Sequence, residues 1–199
     1  MTLYLCIIII ATFLLVLFNA LFAGLGISVW AIIMWSVLGV VLSIILDGIA
    51  VLAVRLTGER INIDGAIFKE RKGERRLLER LGIRKWKDLI PEMGKKLKYF
   101  DKTTVAREVN SEYFRKFIHE TCLAELMHIL SLIVAPLLLV ILPLRYLLNI
   151  SLPIVLVNIF LNILPILVQR YTRPKLRIAY LRQLKKEQNT KGENTDETI

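Results

Sequence analysis

Residues 121–144 read TCLAELMHILSLIVAPLLLVILPL, an apolar run that carries Glu125 and His128 close to its start. About 20 helical residues cross roughly 30 Å of hydrocarbon, so the run is long enough to span a bilayer. A carboxylate placed inside hydrocarbon costs about 3 kcal/mol on insertion scales. A chain keeps such a group where it faces a bundle interior, a cavity or a reaction centre. Glu125 and His128 lie within one helical turn of each other, and they mark a functional site.

Working outward, three more runs have the same character: residues 3–25, 29–54 and 147–168. The first lacks the basic start of a secretory signal, and its apolar core is too long for one. With 199 residues and 55% hydrophobic content, the chain reads as an all-α integral membrane protein with four transmembrane helices. A single membrane domain is expected over residues 1–185, and a disordered polar tail over 186–199.

The net charge of +10 is unevenly spread. Residues 55–116 hold 18 Lys/Arg against 10 Asp/Glu, and the chain from Arg170 onward holds 8 against 4. The two short turns between paired spans carry only Arg145. The positive-inside rule therefore puts both termini and a basic segment, residues 55–118, in the cytoplasm of a multi-pass cell-membrane protein. That excess of charge suits anionic lipid headgroups. Nucleic acid is not an expected partner, because no recognisable module accompanies the charge.

The basic segment is amphipathic. Leu77, Leu78, Leu81 and Ile83 follow the basic run Arg71–Arg76, as in an interfacial helix. Trp86 between Lys85 and Lys87, with Asp88 after it, suits a membrane interface. Asn62–Gly65 reads as a turn, Gly58 as a break, and residues 105–118 as a helix leading into the third span. Gly24-Leu25-Gly26 is a turn, not a nucleotide loop. No Walker loop, Gly-x-Ser-x-Gly elbow or zinc-type His/Cys spacing is present. Five positions after His119 stands Ala124, so the His-x4-Asp arrangement of soluble-faced lysophospholipid acyltransferases is absent. Cys6 and Cys122 fall in or beside spans and read as small buried apolar residues, with Cys122 a possible neighbour of the site.

At 100° per residue, Thr121, Glu125 and His128 share one stripe of a helix, with Glu120 to its side. His128 lies about 12 Å inside its span at 1.5 Å per residue. Asn158, Asn162 and Gln169 form a polar stripe on the last span, and Asn162 reaches a similar depth. Asp47 in the second span does so too. Unpaired polar groups are costly in lipid, so this layer should converge. Asn158 alone reads as interhelical glue. Asp47 reads equally as a site residue or as a group reaching for the cytoplasm. Gln169-Arg170-Tyr171-Thr172-Arg173-Pro174 closes the span, and two arginines three apart suit a phosphate or carboxylate.

Together these pieces resemble the glycosyl-4,4'-diaponeurosporenoate acyltransferase family, membrane enzymes that add a fatty acyl group in staphyloxanthin synthesis. The resemblance rests on Arg84-Lys85-Trp86-Lys87 with Asp88, on Ile118, Glu120, Thr121, Ala124, Glu125, Leu126 and His128, on Asn162 and Pro165, and on Gln169-Arg170-Tyr171 with Arg173-Pro174. It covers residues 67–176 and reaches the first two spans only loosely. It implies transfer of an acyl group from a cytoplasmic thioester, acyl-CoA or acyl carrier protein, to a hydroxyl of a lipid or glycolipid.

In that reaction His128 would be the base, with Glu125 or Glu120 orienting it. Asn162 or Gln169 would serve the oxyanion. Arg170, Arg173, Lys85 and Lys87 would hold the donor's phosphates, with Trp86, Asp88, Tyr171 and Thr121 beside them. No bound cofactor or metal is expected. Two other readings stay open: a metal site built from Asp47, Glu125 and His128, and a non-enzymatic scaffold or transport accessory whose polar layer fixes helix packing or lines a proton path.

Overall fold

A computed structural model describes residues 2–22, 28–90 and 110–196. Every regular element among them is helical: α1 (Thr2–Phe22), α2 (Val29–Thr57), α3 (Glu74–Arg80), α4 (Ile83–Trp86), α5 (Ser111–Val134), α6 (Leu138–Ile141) and α7 (Leu152–Asp196), joined in places by 3-10 turns. The Gly24–Gly26 turn, Pro91 and the chain up to Val109 lie outside the described residues.

Among the described residues, three stretches are long and apolar enough to cross a membrane, Val29–Thr57, Ser111–Ile141 and Leu144–Asn189. Four were expected. The remaining candidate, α1, is a helix of 21 residues whose apolar part covers Leu5–Leu21. The third expected span runs past Ile141, where its helical stretch ends, and the fourth lies within a longer one, Leu144–Asn189. In α7 the helix runs on to Asp196, past Lys185, where the sequence suggests that order ends.

The chain divides into two compact units. One comprises Met1–Glu59 with Leu126–Ile166, the other Arg60–Glu125 with Leu167–Ile199.

In the first unit, Leu138, Leu142, Tyr146, Ile150, Ile154 and Val155 form a buried core, joined by Leu15, Trp35 and Val40. Gly39 lets α2 come close: a Cβ there would lie 2.8 Å from Ile154 Cδ1 and 3.1 Å from Leu142 Cδ1. Pro143 ends α6, because the residue before a proline is pushed out of helical geometry, and Leu142 has ψ 151°. A π turn, Leu147–Ser151, then leads into α7. Asn19 of α1 donates to the Asn149 carbonyl of that turn at 2.8 Å. Outward faces of these helices are strongly apolar, with Phe13, Trp30, Val140 and Phe160 all exposed. This pattern suits lipid as the solvent and not water.

In the second unit, Leu78, Ile83, Val168 and Tyr171 are buried together, with Trp86, Ile90 and Leu167 against them. Gly73 and Gly82 precede α3 and α4 at φ +85° and +65°, which glycine adopts without strain. In this stretch Leu78 points inward while Leu77 and Leu81 are exposed.

Candidate active site

In the first unit, a cavity of about 260 Å³ is lined by apolar side chains, among them Ile8, Leu15, Val51, Val157 and Leu161. Its polar lining consists of Thr12, Ser43, Asp47, His128, Ser131, Asn158 and Asn162. Asp47 and His128 are the titratable groups among these.

His128, Asn162, Asn158 and Asp47 are joined side chain to side chain. His128 Nδ1 lies 2.8 Å from Asn162 Oδ1. Asn162 Nδ2 donates to the Asn158 backbone carbonyl and to Asn158 Oδ1, both at 3.0 Å. Asn158 Nδ2 donates to Asp47 Oδ2 at 2.7 Å and to Ser43 Oγ at 3.0 Å. Because both amide hydrogens of Asn162 are used, its carbonyl oxygen accepts from His128. The histidine proton then sits on Nδ1, and Nε2 keeps a lone pair. The same engagement leaves Asn162 no hydrogen for an oxyanion. Its task here is to hold the imidazole.

Glu125 is placed differently. It belongs to the second unit, where it is fully buried, at 0% exposure. Arg170 Nε lies 2.8 Å from its Oε1, and Arg173 Nη2 lies 2.5 Å from its Oε2. Arg173 is itself 2% exposed. It also donates to the Thr121 hydroxyl and backbone carbonyl, at 3.1 and 2.9 Å, and its guanidinium stands 5.2 Å over the Phe68 ring. Arg170 reaches Glu74 Oε1 at 2.9 Å and the Ile67 carbonyl at 2.8 Å. Charges inside candidate spans are thus matched by partners in reach, as desolvation requires. Glu125 orients two guanidinium groups, whereas His128 is oriented by an amide.

The other anticipated residues of this unit take these places. Tyr171 is buried and accepts from Arg84 Nε at 2.9 Å, with Lys175 Nζ 4.2 Å over its ring. Trp86 donates to the Leu81 carbonyl at 3.0 Å. Lys87 pairs with Asp88 at 2.7 Å, and Lys85 is exposed. Glu120 and Gln169 are partly buried. Glu74 adds an acid the sequence did not flag. Burial alone would raise its carboxyl, but the Arg71 amide and the Arg170 guanidinium outweigh this and hold it below the usual carboxylate range.

Among the described residues, no group of three His, Cys, Asp or Glu side chains stands ready to hold a metal ion, so Asp47, Glu125 and His128 do not form the ligand set considered from the sequence. The sequence also underrated Asn158 and passed over Ser43 and Ser131. A signal was present: Ser43/Asp47 and Asn158/Asn162 are both polar pairs four apart in apolar helices, which puts each pair on one face.

The family model described as glycosyl-4,4'-diaponeurosporenoate acyltransferase matches residues 64–182, more than half of the chain. No curated protein and no solved structure matches.

Proposed function

The chain belongs to the glycosyl-4,4'-diaponeurosporenoate acyltransferase family, and from that premise we propose that it is a membrane-embedded enzyme moving a fatty acyl group from a cytoplasmic thioester to a hydroxyl of a lipid or glycolipid. The observation that carries this reading is His128, held through Nδ1 with Nε2 free, on the wall of an apolar cavity.

The acceptor hydroxyl gives its proton to His128 Nε2 as its oxygen attacks the thioester carbonyl. The resulting oxyanion collapses, the C–S bond breaks, and the departing thiolate takes the proton back from the imidazolium. An ester and a free thiol result, and His128 returns to its starting state. Positioned acid–base catalysis of this kind contributes about 10²–10⁴-fold in rate. An apolar cavity suits a lipid acceptor that arrives from the bilayer, and it keeps out water that would hydrolyse the thioester.

Acyl-CoA or acyl carrier protein is the donor in this reading. Exposed Lys85, with Lys87 nearby, is assigned to its phosphates, and Gln169 to the donor side. Arg170 and Arg173 hold Glu125 and act by shaping that region. The enzyme works in the cell membrane with both termini in the cytoplasm, as the distribution of Lys and Arg suggests.

Lipid mass spectrometry on cells expressing the wild type or His128→Gln at matched membrane levels tests the proposal. A lipid heavier by one acyl chain is expected with the wild type alone. Purified protein in liposomes should release free thiol from an acyl thioester at a rate that His128→Gln lowers at least about 100-fold. Equal rates from the two proteins would refute His128 as the base.

A further inference from the structure

Asp47 lies on α2, outside the residues matched by the family, and carries the only carboxylate on the cavity wall among the described residues. We propose that Asp47 is a positioning residue for His128, acting through Asn158 and Asn162. Its role in turnover rests on the acyl-transfer reading. Its effect on the state of His128 does not.

The argument follows the direction of the hydrogen bonds. A carboxylate has lone pairs and no hydrogen, so the group facing Asp47 Oδ2 must donate. That group is Asn158 Nδ2, at 2.7 Å. The choice fixes which way the Asn158 amide is turned, and it leaves Asn158 Oδ1 to accept. Asn162 Nδ2 supplies that hydrogen at 3.0 Å, which turns the second amide the same way. Asn162 Oδ1 is then an acceptor, and His128 must place its proton on Nδ1 to meet it at 2.8 Å. Each link agrees with the one before: the carboxylate of Asp47 accepts at one end, and the Asn158 backbone carbonyl, which also only accepts, turns the Asn162 amide the same way.

Two side bonds brace the chain. Ser43 accepts a second bond from Asn158 Nδ2, at 3.0 Å, and the Asn158 backbone carbonyl accepts from Asn162 at the same distance. Ser131 also stands beside the Asp47 carboxylate. The assembly draws on α2, α5 and α7. It closes the Nδ1 side of the imidazole and leaves Nε2 as the basic nitrogen. An asparagine in place of Asp47 presents either a donor or an acceptor to Asn158. The order then rests on the Asn158 backbone carbonyl alone, and the Nε2–H tautomer of His128 gains population.

The test is ¹⁵N nuclear magnetic resonance of the full-length protein in lipid nanodiscs, with labelled histidine, at neutral pH. The chain has only two histidines, and His119→Gln assigns the pair. In the wild type His128 should show a protonated Nδ1 and a bare Nε2. Asp47→Asn should add a second set of signals, from the Nε2–H form, that the wild type lacks. Asn158→Ala, which cuts the chain one link nearer, should do the same. In the thiol-release assay Asp47→Asn should lower kcat about 10-fold or more, with KM for the acceptor within about twofold.

A wild-type His128 protonated on Nε2 would overturn the proposal. So would a tautomer unchanged in both variants. If the tautomer responds as expected while the wild type and His128→Gln release thiol equally, the positioning role stands and the acyl-transfer reading falls.

Discussion

Replacing Glu125 by Gln removes one negative charge from the centre of the second unit and changes almost nothing in volume. Two guanidinium groups lose a partner, at 2.8 and 2.5 Å. Their fates differ. Arg170 keeps Glu74 and the Ile67 carbonyl. Arg173, at 2% exposure, keeps, among the described residues, the two oxygens of Thr121 and the face of Phe68, none of which is a counter-charge. Breaking a buried pair by removing one side costs about 3–5 kcal/mol. With Arg170 still paired, the lower end applies, about 3 kcal/mol, or roughly a 100-fold loss in the folding equilibrium. Removing both charges behaves differently, since well-packed apolar replacements for an ion pair are often neutral. Glu125→Leu with Arg173→Met should therefore recover most of the loss. Trp86 reports on this unit, because it packs against the cluster of Leu78, Ile83, Val168 and Tyr171. Its fluorescence, followed through thermal unfolding in detergent, should show a lower transition for Glu125→Gln and partial recovery in the double variant. The reasoning is refuted if Glu125→Gln melts with the wild type yet loses turnover. Glu125 would then act in the chemistry, as the sequence suggested.

Two further predictions concern stability. The Glu74 carboxyl titrates below its ordinary value of 4.5 in the folded chain. Its stabilisation is therefore complete above that value and is lost as pH falls through the lower folded one. Acid unfolding followed by Trp86 should be less steep below about pH 4.5 in Glu74→Gln, and an unchanged profile would deny Glu74 that role. At Gly39, an alanine methyl would press only on the tips of Ile154 and Leu142, and its better helix propensity, about 1 kcal/mol, offsets the crowding. Gly39→Ala should melt close to the wild type, while Gly39→Leu should be destabilised by about 1–3 kcal/mol. Trp35, packed in the same core, gives the signal. A leucine tolerated as well as alanine would show that α2 does not need the close approach.

The sequence reveals much of this architecture because lipid imposes a simple rule. Runs of about 20 apolar residues must be helices, since no other open structure satisfies the backbone in hydrocarbon. Depth along a span follows from the rise per residue, which puts Asp47, His128 and Asn162 at similar depths by count, and the hydrogen bonds join them through Asn158. Rotation about the axis was less legible. Glu125 and His128 are three apart, which leaves them about 60° from facing the same way. That angle suffices to give one a pair of arginines and the other an amide. The arginines are more than forty residues further along the chain, and nothing in the 121–144 run announces them. Asn158 was read as packing material because a single asparagine does serve that purpose. Its part in a series becomes visible only when Asp47 and Asn162 are found on either side of it.

The amides between His128 and Asp47 have one more consequence. Asparagine neither gains nor loses a proton at any pH a cell reaches. The series therefore passes on direction and carries no current. A proton taken up at Nε2 has no path through Nδ1 to the carboxylate, and it must leave by the face on which it arrived. In a channel or pump such a wall would be a dead end. In a transfer reaction it is an advantage, because the proton stays beside the departing thiolate that needs it.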